Sequence, residues 1–146
     1  MTTIRGARRD DAPRLAELSI ELGYPMTSDE AARRLADLEA HADHALLVAE
    51  DRGRVAGWIQ VSLPRIFETP KGAEIAGLVV DAAERGRGIG RALVAAAAGW
   101  AAERGCLAVR VRSNVIRARA HAFYVREGFR EIKTQKVLEK RLGRED

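Results

Sequence analysis

The spacing of apolar positions switches between two periods along this chain, and each period predicts a different element. Residues 2–7 read as a short strand. Leu15, Leu18 and Leu22 then recur at helical spacing, which places them on one face of a helix running from Asp10 or Asp11, as cap, to about Leu22. Pro13 is tolerated there, because a first-turn N–H has no acceptor to lose. Gly23, Tyr24 and Pro25 break the helix. Ser28 is positioned to cap a second helix, with Ala31, Leu35 and Leu38 on its apolar face and Glu30 and Arg34 spaced to pair.

Beyond the helices the period shortens. Residues 44–50 predict a strand, 51–53 a hairpin turn, and 55–63 the returning strand. A proline-bounded loop over 64–72 precedes a longer strand over 73–81. A glycine-rich segment then opens a helix that ends near 103–105. Ile89, Leu93, Ala97 and Trp100 form its buried stripe, and Gly105 stops it. Residues 106–113 alternate as a strand, 117–128 form a helix closed by Gly128, and 129–142 predict a final strand. The order is that of an α/β protein with helices on a largely antiparallel sheet.

Composition narrows this reading only a little. At 146 residues with 47% hydrophobic positions, the chain is expected to form one domain, 1–146, around one core. Its 25 basic and 21 acidic residues are interspersed and leave a net charge of +4. Aromatics make up only 5%, so the stacking platforms of a nucleic-acid binder are not expected. Cys106 is the one cysteine, which excludes an internal disulfide and suits a reducing compartment. Residues 1–14 hold no apolar run that would act as a signal, and the longest such run, 92–102, is too short to span a bilayer. A soluble, cytoplasmic protein without membrane partners is the expectation.

Arg85, Gly86, Arg87, Gly88, Ile89, Gly90 and Arg91 form the most unusual stretch. Glycines at alternate positions weaken any regular element, and adjacent arginines repel, so a bound anion is the natural compensation. At a helix start the unpaired N–H groups and aligned peptide dipoles present positive potential. Glycines there let a phosphate approach the backbone, and arginines add forked donors. The segment is not a P-loop, since Arg91 and Ala92 stand where lysine and serine or threonine would be needed. It is not a dinucleotide fingerprint either: its glycines are spaced G-x-G-x-G, and no acidic residue follows at ribose-binding distance.

Arg85-x-x-Gly88-x-Gly90 after an apolar strand resembles the pyrophosphate motif of the GCN5-related N-acetyltransferase (GNAT) family. Further on, Asn114, Ala120-His121, Phe123-Tyr124 and Gly128-Phe129 resemble that family's second signature. The element order also matches, so the resemblance spans nearly the whole chain. It implies an acyl-CoA N-acyltransferase fold with splayed central strands. It also implies acetyl-CoA as cosubstrate, with no metal. The pyrophosphate would lie on the amides of Arg85 to Arg91, and the pantetheine arm would pair with the backbone of Leu78, Val79 and Val80. Asn114 is a candidate contact to that arm, although Arg117 stands where many relatives carry their asparagine.

Tyr124 occupies the place of the family's general acid. Ala76 stands where many relatives carry a glutamate base; Glu74 lies two residues earlier, on the same strand face by the two-residue period. His121, one turn before Tyr124, is the alternative base. His41 and His44 lack the partners of a metal site. Tyr24 and Phe67, on the two proline-bounded loops, are the acceptor-binding candidates, with a homodimer contact as the other use of the second loop. The expected activity is acetyl transfer to a primary amine of a small molecule or peptide. The alternative is an acyl-CoA sensor without turnover.

Overall fold

The computed structural model describes residues 2–112 and 118–143. It divides into two compact units, Met1–Arg112 and Ser113–Asp146. The first contains strand β1 (Thr2–Gly6), helices α1 (Ala12–Glu21) and α2 (Ser28–Glu39), strands β2 (His44–Asp51), β3 (Arg54–Ser62) and β4 (Ala73–Val80), helix α3 (Ile89–Glu103) and strand β5 (Val109–Val111). The second contains helix α4 (Ala118–Arg126).

The five strands lie in sequence order, β1-β2-β3-β4-β5. The first three pairings are antiparallel; β4 and β5 are parallel, joined by the crossover through α3. Arg52 and Gly53 turn the β2–β3 hairpin, both with positive φ, which matches the right-handed twist of the strands they join. One sheet face packs Val48, Val55, Val79 and Trp58 against Leu15, Leu18 and Leu35 of α1 and α2. The other face receives α3 through Ile89, Leu93, Val94, Ala97 and Ala101, all buried. Gly57 permits that approach: a Cβ there would stand 2.7 Å from the carbonyl oxygen of Val79 and 3.3 Å from Leu93.

Three helices end at the glycines that the sequence marks as stops. Gly23, Gly105 and Gly128 all have positive φ. After each, the next N–H reaches back over five residues: Tyr24 to Ser19, Cys106 to Ala101 and Phe129 to Tyr124, at 3.0, 3.1 and 2.9 Å.

Four local expectations are corrected. Thr27, not Ser28, caps α2: its hydroxyl accepts from the Glu30 N–H while the Glu30 carboxylate accepts from the Thr27 N–H. Asp11 makes no side-chain cap on α1, because its carboxylate is taken by Arg5 and by the Arg8 N–H. Trp100 is only half-buried, with the Arg104 guanidinium 4.1 Å above its ring, and Ala101 completes the stripe instead. Finally, 129–142 forms no strand among the described residues. Ile132, Leu138 and Leu142 keep a two-residue parity and Val137 breaks it, but the segment pairs with no strand among the described residues, and all four side chains are exposed.

Candidate active site

The glycine segment sits where β4 hands over to α3. Asp81 ends the strand, and its carboxylate accepts from the Ala83 N–H to start a single turn, Ala82–Glu84. Arg85, Gly86, Arg87 and Gly88 follow, all exposed. Gly86 and Gly88 adopt φ of +84° and +80°, and the position of an added Cβ at either has no atom within 4 Å. Gly88 is the residue before α3, and no side chain caps that end. The first-turn amides of Ile89 and Gly90 therefore have no intrahelical acceptor, beside open space at Gly86 and Gly88. This suits a pyrophosphate, for it combines unpaired donors, the positive end of a helix and backbone free of side chains.

The arginines divide in role. Arg87 donates to Asp51 Oδ2 at 3.0 Å and also to Glu84, so its guanidinium ties the loop to the end of β2. The backbone amide is what Arg87 has left to offer an anion. Arg85 is exposed and has no ion pair among the described residues. Ile89 turns inward and anchors the helix start in the core.

Beside this segment, β4 changes partners. Its pairing with β5 covers only Ala73, Glu74 and Ile75. The backbone of Ala76, Gly77, Leu78, Val79 and Val80 has no strand partner on that edge among the described residues. An extended pantetheine arm needs such an edge. On the other edge, Gly77 pairs with Gln60 and Ile75 with Val61, which leaves Ala76 as the extra residue of a bulge. Strict alternation along β4 therefore breaks between Ile75 and Gly77. Glu74 shares its face with Ser62, Gln60 and Trp58, the side that carries α1 and α2, and the bulge moves the partner of that face from Ala76 to Gly77.

Glu74 is engaged rather than free, accepting from the Arg112 Nε. Tyr24 is exposed immediately past α1. Phe67 is fully exposed on the β3–β4 loop, and its neighbour Ile66 lines the small pocket beside Glu74. The structure does not gather Phe67 and Tyr24 around that pocket. Among the described residues, no group of three or more His, Cys, Asp or Glu could hold a metal ion, and no helix is long and apolar enough to cross a membrane.

In the second unit, the helix stop explains the Phe-Tyr and Gly-Phe pairs of the sequence. Tyr124 and Phe129 are the two apolar positions that meet across a glycine-terminated helix end, their ring centroids 5.4 Å apart and edge to face. Phe123 lies 5.2 Å from Tyr124. Burial pushes the Tyr124 phenol up to about 12. His121 is half-buried on the same helix. Asn114 and Arg117 lie outside the described residues.

The sequence reading missed Arg14, Asp51 and Asp81 as supports of the glycine segment. Only Asp81 carried a local signal, an aspartate placed to cap the turn after a strand.

A family model described as the acetyltransferase (GNAT) family matches residues 12–129. Glucosamine 6-phosphate N-acetyltransferase 1 of Oryza sativa subsp. japonica is 36% identical over 119 residues, 78% of this chain and 70% of that protein. Aminoglycoside N(6')-acetyltransferase type 1 of Stenotrophomonas maltophilia is 31% identical over 141 residues, 93% of this chain and 90% of that one. Among solved structures, an aminoglycoside N-acetyltransferase in complex with CoA superposes with a TM-score of 0.87 at 18% identity, covering 97% of this chain and 96% of its own.

Proposed function

The chain belongs to the acetyltransferase (GNAT) family, and on that premise we propose that it transfers acetyl from acetyl-CoA directly to a primary amine of a small molecule or peptide. The observation that carries the cosubstrate is the uncapped start of α3, with Gly86 and Gly88 at positive φ, next to the unpartnered edge of β4. The family match runs from the first unit into the second, which supports a single acetyltransferase domain over 1–146.

When bound, acetyl-CoA supplies an activated thioester, whose acyl carbon gains a C–N bond as its C–S bond breaks. The amides of Arg85 to Arg91 hold the diphosphate, and Arg85 adds a mobile positive charge. Leu78, Val79 and Val80 offer backbone groups to the extended arm, and Asn114 is a further contact. Holding two reactants in line supplies about 7 kcal/mol or more in favourable cases.

Tyr124 gives its proton to the departing sulfur. Its raised pKa keeps it protonated, and therefore a donor, across the physiological range. Glu74 receives the amine proton through water, since two residues of strand, about 7 Å at the usual rise, separate it from the bulge at Ala76. The amine enters from the face that carries α1 and α2, past Tyr24 and the β3–β4 loop with Phe67. Relatives named for glucosamine 6-phosphate and for aminoglycosides support a small amine as acceptor.

The test is release of free thiol from acetyl-CoA with a panel of amines, read beside a thermal melt with millimolar acetyl-CoA. Turnover with at least one amine is expected. A melt unmoved by acetyl-CoA rejects the cosubstrate, whereas a shifted melt without turnover on any amine makes the protein a sensor.

A further inference from the structure

The two relatives differ in the charge of the acceptor for which they are named, and the side chains beside Glu74 bear on that choice. We propose that the acceptor of this protein is a small amine bearing an anionic group, a phosphate or carboxylate, that seats against Arg110 and Arg112. The inference rests on the acetyltransferase reading and deepens it.

A pocket at the start of β4 is lined by Arg110, Arg112, Glu74, Thr69, Ile66 and Gly72, among others. The parallel register sets Arg110 directly beside Glu74, and Arg112 follows one strand period later on the same face. That face carries α1 and α2, opposite the one on which α3 packs. Arg112 donates to Glu74, so the one carboxylate of the pocket is already engaged. Arg110 is exposed and has no ion-pair partner among the described residues.

Two guanidiniums against one carboxylate leave the pocket positive. On the adjoining loop Arg65 and Glu68 balance, and the Lys71 ammonium is turned away to the carbonyl oxygen of Arg104, so the positive charge of the pocket comes from its two arginines. Such a field attracts an anion and repels a polycation, whatever the remainder of the acceptor contributes. Arg110 presents a planar fork of donors, and Thr69 adds a hydroxyl, which together suit phosphate or carboxylate oxygens. The distance along β4 from Glu74 to Ala76 is about 7 Å, so the anion and the reacting amine would stand roughly one sugar ring or one short chain apart.

The experiment compares matched pairs: glucosamine 6-phosphate with glucosamine, and an amino acid with its amide, with a polycationic aminoglycoside as the opposite charge. At least one anionic member should exceed its neutral partner about tenfold or more in kcat/KM, mainly through KM, the size expected of one charge-assisted hydrogen bond. Which pair shows the effect tells phosphate from carboxylate. Arg110→Gln should erase the advantage and Arg110→Glu should reverse it, with an acetyl-CoA melt shift showing that each variant is folded. Neutral or polycationic amines used as well as the anionic ones overturn the inference, as does an advantage that survives Arg110→Gln. Absence of thiol release with every amine overturns the acetyltransferase reading and this inference with it, which is a different result from turnover without charge preference.

Discussion

The guanidinium of Arg14, on α1, donates to Asp81 at 2.5 Å and to the carbonyl oxygen of Val55 at 2.8 Å. One side chain thus joins the first helix, the start of β3 and the residue from which the glycine segment departs. Asp81 is held from two further sides, its N–H donating to the carbonyl of Ala56 and its carboxylate accepting from the Ala83 N–H. The Ala83 N–H and then Arg14 keep its carboxyl below the usual carboxylate range. The loop proposed to hold pyrophosphate is therefore positioned by residues that need not touch the ligand. Arg14→Ala should lower stability by about 1–3 kcal/mol and weaken acetyl-CoA roughly tenfold, with kcat at saturation little changed. Urea unfolding and a fluorescence titration measure the two effects; an unchanged acetyl-CoA Kd would confine Arg14 to stability.

Gly88 and Gly86 make a second prediction. A side chain in the left-handed region costs about 1–2 kcal/mol, yet the added atoms would meet open space. Gly88→Val should stay folded and lose its response to acetyl-CoA. At 100 times Kd the wild-type protein should gain about 2.7 kcal/mol, and a variant that gains as much would refute the anion cradle.

Tyr124→Phe should reduce kcat about 10²-fold or more while acetyl-CoA affinity holds. Because burial raises the phenol to about 12, its ionisation should not limit the rate below about pH 10. The linked stability is fully present below the unfolded value near 10 and is lost as pH rises toward 12. A pH–rate profile of both proteins, with denaturation followed over the same range, checks each part.

Acid stability turns on Asp11. Its side chain is 8% exposed and accepts from both terminal nitrogens of Arg5, each at 2.9 Å, and from the Arg8 N–H at 2.7 Å. The Arg5 hydrogen bonds lower its pKa first, against the opposing effect of burial. A lowered folded value means stability present above about pH 4, the ordinary carboxylate range, and lost as pH falls through the lowered value. Asp11→Asn should cost about 1–3 kcal/mol at neutral pH and flatten the acid limb. Urea midpoints from pH 7 to pH 2 give the comparison.

Exposed Tyr24 and Phe67 yield the last prediction. Truncating either to alanine should move stability by no more than about 0.5 kcal/mol, as expected for surface positions, and raise the acceptor KM while acetyl-CoA binding holds. Sedimentation of the same variants separates the other use: a shift from dimer to monomer with unaltered KM would make the loops an interface.

The chain alone determines the elements whose cause lies within one turn or one strand. Helical spacing of Leu15, Leu18 and Leu22 specifies α1, and Gly23, Gly105 and Gly128 specify three helix ends. The glycine segment announces an uncapped helix start, because a left-handed backbone at those positions needs glycine whatever surrounds it. Tertiary structure decides what depends on register and on partners remote in sequence. Arg14 meets Asp81 across 67 positions, and Arg112 meets Glu74 across 38. The bulge at Ala76 exists only because β3 pairs beside it, and it interrupts the alternation that the sequence pattern assumes. Segment 129–142 has the residue types of a strand, yet it pairs with no strand among the described residues, and Ile132, Val137, Leu138 and Leu142 are exposed. Local spacing reports what a segment can form; which charges meet, and which strand edge stays open, depends on contacts that only the folded chain brings together.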